Sequence, residues 1–246
     1  MSKLVLVLGA TSAIARSTAE AFAARGYSLY LAGRDATELE RLASDLRIRY
    51  RTEVRCGIFE AEDYASHTSF IERVRDEMGG LEGVLLAFGY LGEQHLAASD
   101  SAERVAVIAR NLTGAVNLLE PCAACLERQR SGFIIGISSV AGDRGRQSNY
   151  IYGSAKGGFT IYLQGLRNRL FHSGVRVMTV KAGFVDTAMT YGMPGLFLVA
   201  PPAYVGEQIV RALEKGRDVA YIPWFWRYIM LVLKLLPESI FKRLKL

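Results

Sequence analysis

Residues 3–34 read KLVLVLGATSAIARSTAEAFAARGYSLYLAGR, and this stretch decides the fold. Leu4 to Leu8 is an apolar run of strand length. Ala13 to Arg25 carries apolar residues at helical spacing, and SLYLA returns to strand character. A strand, a glycine-bearing turn, a helix and a second strand in immediate succession predict a parallel βαβ unit. Outward from it the rhythm continues with a helical segment from Thr37 to Tyr50, EVRCGI, GVLLAFG, a long helical segment from Glu103 to Arg128, and FIIGISS. Then come a helix from about Tyr152 to His172, VRVMTVKAG, a helix from about Tyr204 to Lys215, and DVAYIP. Seven strands alternating with helices predict an α/β chain with a doubly wound, seven-stranded parallel sheet and helices on both faces. We expect one domain over residues 1–223 and an apolar, basic helical tail over 224–246. Residues 187–206 break the rhythm: they contain no charged side chain, and Pro194, Pro201 and Pro202 with three glycines exclude one continuous helix. That stretch is predicted to be an apolar loop or lid.

A chain of 246 residues that is 50% hydrophobic can bury one large core. No export signal stands in MSKLVLVLGA, and three cysteines without the paired spacing of a zinc site fit a reducing, cytoplasmic compartment. Cys122 and Cys125 form a CxxC, but within a predicted helix they read as buried small residues, and no metal is expected. The net charge is +6, of which residues 227–246 carry +4 through five Lys/Arg and one Glu, leaving +2 for the first 226 residues. The basic character therefore belongs to the tail. In WFWRYIMLVLKLL, residues 224–236, Arg227 and Lys234 share one narrow polar stripe of a helix, and nearly all the rest is apolar. Pro237 ends the run before the roughly 18–20 residues that a membrane span requires. An apolar helix with adjoining basic residues suits peripheral contact with an anionic membrane, such as the inner face of the cytoplasmic membrane, better than a nucleic acid. The alternative is packing on the protein's own core or at a homo-oligomer contact.

In a sheet of this kind the first strand-to-helix turn is where a dinucleotide pyrophosphate meets backbone N–H groups at a helix N-terminus. Here Gly9, Thr11, Ser12, Ala13 and Ile14 form that turn, with alanines at 13 and 15 where the spacing GxxxGxG would put glycines. A methyl at Ala15 still permits helix-strand packing, whereas Ala13 could press towards the pyrophosphate. Gly33 ends the second strand and Arg34 follows. A guanidinium there can pair with a 2′-phosphate, which favours NADP(H), while Asp35 keeps NAD(H) open. Glu60 could accept from an adenine amino group or stand as a solvated surface acid.

The sharper signal is Tyr152-Gly-Ser-Ala-Lys156, because positions i and i+4 of a helix share a face and an ammonium beside a phenol favours phenolate. Ser139 lies 152 − 139 = 13 residues earlier, at the end of FIIGISS. With these motifs the chain resembles the short-chain dehydrogenase/reductase family from Gly9 to about Thr187, which implies a Rossmann-type, NAD(P)-dependent oxidoreductase. The resemblance implies that Ser139 hydrogen-bonds the substrate oxygen, Tyr152 passes the proton, and Lys156 also holds the nicotinamide ribose. It further implies that Asn111, in ARNLTGAV, helps hold a relay water, and that Gly183, Val185 and Thr187, in KAGFVDT, lie at the nicotinamide carboxamide. Departures are the alanines of the first turn, Ala87-Phe88-Gly89 where many members have Asn-Asn-Ala-Gly, and Ala182 where proline is usual.

The strings AFGYLG, SSVAGDRGRQSNYIYGSAKGG and FWRYIMLVLKLLPESIFKRL further resemble the decaprenylphosphoryl-2-keto-pentose reductases of arabinose-donor synthesis. That resemblance implies reduction of a lipid-linked 2-keto sugar to the arabino epimer, after a flavin-dependent oxidase partner has made the ketone. Arg144 and Arg146, between Ser139 and Tyr152, are candidates to clamp a substrate phosphate, with solvated loop arginines as the plainer alternative. Two other functions stay open: reduction of another apolar ketone, such as a lipid or 3-oxoacyl thioester, and a catalytically silent NADP-binding scaffold. His67, His95 and His172 fall in none of the motifs.

Overall fold

The computed structural model describes residues 3–193 and 195–244; Pro194 of the predicted loop, and Met1, Ser2, Lys245 and Leu246 at the ends of the two predicted units, lie outside the described residues. Among the described residues the strands are β1 (Leu4–Leu8), β2 (Ser28–Gly33), β3 (Val54–Ile58), β4 (Gly83–Leu86), β5 (Phe133–Ser139), β6 (Arg176–Ala182) and β7 (Val219–Ile222). They pair in parallel in the order β3-β2-β1-β4-β5-β6-β7. The helices are α1 (Ala13–Ala23), α2 (Ala36–Tyr50), α3 (His67–Met78), α4 (Gln94–Ser99), α5 (Ser101–Ile108), α6 (Gly114–Gln129), α7 (Tyr150–Leu170), α8 (Pro202–Glu214), α9 (Trp226–Leu235) and α10 (Glu238–Phe241).

The unbroken apolar run of β1 follows from its central place, since both faces of a parallel sheet are covered by crossover helices. Val5 and Val7 enter the core under α1, α2 and α8. Leu4, Leu6 and Leu8 enter the opposite core under α3, α6 and α7. Strand order reverses between β1 and β4, so their carboxyl ends splay their following loops apart and open a crevice there.

Three elements differ from the sequence reading, the short helix α4 between GVLLAFG and Glu103 being one that it lacks. Helix α3 was not predicted, although Phe70, Ile71, Val74 and Met78 give it a buried face. The predicted long helix from Glu103 to Arg128 is interrupted, because Ala109–Thr113 forms a π-helical turn between α5 and α6. Such a widened turn rotates the residues it holds out of regular helical register, and Asn111 is one of them.

The tail is part of the folded body. Trp226 and Met230 of α9 are buried against Val140, with Phe184, Ile229 and Leu233 packed around them. The ring of Trp226 meets Phe184 edge-on at 5.2 Å and Phe197 of the 187–200 loop at 5.7 Å. It also lies on the backbone of Gly183, where any Cβ would overlap the indole. One tryptophan thus joins the tail, the end of β6 and the loop. Trp226→Ala should lower stability by about 3–5 kcal/mol, the range for removing a buried large aromatic side chain. Urea unfolding measures this, and a loss under about 1 kcal/mol would mean that α9 is only loosely attached.

Candidate active site

The crevice at the sheet's carboxyl edge is built from the ends of β1, β4, β5 and β6 and the N-termini of α1 and α7. At its base Gly9 has φ 78°, and a Cβ there would press on the Phe88 backbone, so the two turns touch because residue 9 is glycine. Ser12 caps α1: its Oγ accepts from the Ala15 N–H at 3.3 Å and donates to the Ala87 carbonyl at 3.2 Å. The first turn of α1 carries no acidic side chain, leaving the positive end of its dipole facing the crevice. One lobe, of about 290 Å³, is lined by Gly9, Thr11, Ser12, Gly33, Arg34, Glu60, Ala87, Phe88 and Gly89. It has the place and composition for an adenosine and its phosphates. Arg34 is exposed at this lobe and, among the described residues, makes no ion pair. Asp35 caps α2, its Oδ1 accepting from the Glu38 N–H at 3.0 Å. The cradle fits a dinucleotide, with the unpaired Arg34 at the ribose end.

The second lobe, of about 520 Å³, contains Ser139, Tyr152 and Lys156 together with Ala13, Ile14, Gly183, Val185 and Thr187. Lys156 is almost fully buried and donates to the Ile137 carbonyl at 3.0 Å. Ser138 holds the same junction, bonding to the Lys156 carbonyl at 3.1 Å and to Thr160 Oγ1 at 2.8 Å. Ser139 Oγ accepts from the Ala141 N–H at 3.1 Å, which leaves its own proton for an oxygen in the lobe. Asn111, also buried, reaches the edge of Gly89: its Oδ1 accepts from the Tyr90 N–H at 3.2 Å, and its Nδ2 donates to the carbonyls of Tyr90 and of Val107, the latter at 2.8 Å.

A family model described as short chain dehydrogenase matches residues 3–193. The chain belongs to that family. Among curated relatives, an uncharacterized oxidoreductase of Mycobacterium tuberculosis is 36% identical over 98% of this chain and 96% of its own length. One of Streptomyces coelicolor is 37% identical, covering 98% and 95%. In fold, the chain is similar to a short-chain dehydrogenase from Sphingobium yanoikuyae in complex with NADPH, with a TM-score of 0.82 at 23% identity over 96% of this chain and 97% of that one. It is equally similar to an actinorhodin polyketide ketoreductase with NADPH, with a TM-score of 0.82 at 18% identity over 92% and 97%.

Within this short-chain dehydrogenase two expectations need correction. The phenol of Tyr152 is not drawn towards phenolate: burial pushes it up to about 12, with a hydrogen bond to Ser139 acting in the opposite direction. Lys156 Nζ lies 5.9 Å from the Tyr152 ring centroid, and its own burial lowers it to about 8. Arg144 is the second correction, because it faces away from the lobe and into the tail. It donates to the carbonyls of Leu233 and Leu236, the latter at 2.7 Å, pairs with Glu238 at 3.0 Å and lies over the Phe241 ring at 3.7 Å. It thereby satisfies carbonyls freed at the end of α9. Its neighbour Asp143 is held by Lys181 and by Tyr221 at 2.6 Å. Arg146, by contrast, does line the lobe.

Sequence reasoning missed Asn149, Met189 and Met193 as lining residues of the second lobe. Only the apolar character of 187–206 pointed towards the methionines. Arg34→Ala should weaken NADPH binding by about 1.5–3 kcal/mol, the scale of a hydrogen bond to a charged group, with NADH little changed. Fluorescence titration of both cofactors checks this, and equal losses would show that Arg34 does not meet a 2′-phosphate.

Proposed function

We propose that this protein is an NADPH-dependent reductase that acts on the C2 ketone of a polyprenyl-phosphate-linked 2-keto-pentose and forms the arabino epimer. The observation that carries the polar half of this substrate is a pair of unpartnered atoms in the second lobe. Among the described residues neither Arg146 Nε nor Asn149 Oδ1, both buried, has a hydrogen-bond partner, and both residues line the lobe that holds Ser139 and Tyr152. Leaving a buried donor and a buried acceptor unpaired costs about 1–3 kcal/mol each. A ligand presenting an anionic oxygen to one and a hydroxyl to the other removes that cost. Met189, Met193, Phe184 and Leu91 give the same lobe an apolar wall suited to the start of a lipid chain. The three sequence strings and the tail that resemble the keto-pentose reductases favour this substrate over a fatty or thioester ketone.

When bound, NADPH supplies the hydride that the ketone carbon accepts. Arg34, unpaired at the ribose end, supports NADP(H) over NAD(H). Tyr152 stays protonated at neutral pH because burial raises it, and its Oη gives the ketone oxygen the second hydrogen. The Ser139 hydroxyl donates to the same oxygen and fixes it opposite the phenol. Lys156, one helical turn from Tyr152 in the same lobe, is placed to hold the nicotinamide ribose. The ketone itself comes from an oxidation of the ribo epimer, the step assigned to a flavin-dependent partner.

Tyr152→Phe should lower turnover at least about 100-fold while NADPH still binds, since the ring stays and only the proton donor is removed. Turnover close to that of the parent protein would place the proton donor on another residue. Arg146→Gln should raise KM for a phosphate-bearing ketone more than for a small neutral one. Equal effects on the two substrates would remove the anionic sugar and leave another apolar ketone. Absence of saturable NADPH binding would remove both.

A further inference from the structure

Helix α9 has two apolar stripes, and only one of them is covered. Trp226, Met230 and Leu233 face the domain, whereas Tyr228, Leu231 and Leu235 follow one another at helical spacing on the outer side, with Trp224 in the turn just before the helix, all 51% to 72% exposed. Phe197 and Leu198 of the neighbouring loop are exposed as well, and Phe197 meets α9 at its inner-face Trp226. Beside the outer stripe a groove of about 450 Å³ runs along β7, the last strand of the sheet, and Trp224 and Arg227 line it together with Lys215 and Arg217. The acids nearest in sequence are already engaged: Glu214 with Arg25 at 2.6 Å and Asp218 with Arg167 at 3.7 Å. Among the described residues Lys215, Arg217, Arg227 and Lys234 make no ion pair.

We infer that the outer stripe of α9 and the basic groove of β7 together form a docking surface for an anionic bilayer. No helix of the described residues is long and apolar enough to cross a membrane, so the contact is one of lying on the surface. The apolar stripe enters the headgroup boundary, Trp224 and Tyr228 sit at the level where amphipathic rings are favoured, and the groove meets lipid phosphates. Charge decides between this occupant and a second copy of the chain. A two-fold contact through this face would set the same unpaired cations of both copies against each other, which an anionic bilayer would neutralise. Because the loop carrying Phe197 also lines the second lobe through Met189 and Met193, docking would bring the mouth of the crevice to the lipid surface. This last step rests on the lipid-linked substrate proposed above, but the docking does not.

The test is sedimentation of the full chain with phosphatidylserine-containing vesicles and with phosphatidylcholine vesicles, read as bound protein without any turnover. The parent protein should bind the anionic vesicles, and less so at high salt. Leu231→Gln combined with Leu235→Gln should lower the bound fraction roughly ten-fold or more. Arg217→Gln combined with Arg227→Gln should abolish the preference for anionic lipid. Both variants should keep parental NADPH binding, which establishes that they fold. Equal sedimentation with and without vesicles would overturn the inference, as would a concentration-dependent dimer that Leu231→Gln dissolves. Vesicle binding without reduction of a lipid-linked ketone would leave the docking surface standing and remove the substrate.

Discussion

A buried ammonium sets the position of the helix that carries the reactive tyrosine. Lys156 gives up water and takes the Ile137 carbonyl at 3.0 Å, so α7 is tied to β5 by a bond that is costly to break in an apolar interior. Ser138 doubles the tie through the Lys156 carbonyl and Thr160. With α7 held there, Tyr152 stands one turn away on the same face and next to Ser139 at the end of β5. The same burial that fixes the geometry raises the phenol to about 12 and lowers the ammonium to about 8. Structure and chemistry thus depend on one desolvated side chain.

A second constraint joins the crevice to the tail. The absence of a side chain at Gly183 lets the Trp226 indole rest on the strand end, and Phe184 and Phe197 close around it. Arg144 then secures the far end of α9 through its carbonyls. The loop over the second lobe is consequently braced by residues that lie late in the chain. Changes on the inner face of α9 should therefore be felt in the crevice, whereas changes on its outer face should not.

Much of this was legible in the sequence, because parallel strands covered on both faces leave unbroken apolar runs such as KLVLVL and FIIGISS. Tyr152, Lys156 and Ser139 were legible too, since helical spacing and the end of a strand bring them together by local geometry. The turn around Gly9 was readable despite Ala13 and Ala15, as the dinucleotide cradle uses backbone N–H groups. What escaped depends on contacts between distant segments. Arg144 and Arg146 look alike two residues apart, yet the first is claimed by helix α9 and the second is left facing the lobe. The rise of the Tyr152 phenol likewise required knowledge of burial, which the spacing alone does not supply. Helix α3 was missed because HTSFIERVRDEM is rich in charge and its apolar face is narrow.

The most direct test follows a labelled hydride. NADPH carrying deuterium at the transferable position of its nicotinamide would be incubated with the protein and a polyprenyl-phosphate-linked 2-keto-pentose, and the product analysed by mass and by epimer. The account predicts an arabino product with deuterium on C2, formed by the parent protein and nearly absent with Tyr152→Phe. Unlabelled product, or labelled product formed equally well by the Phe variant, would contradict it.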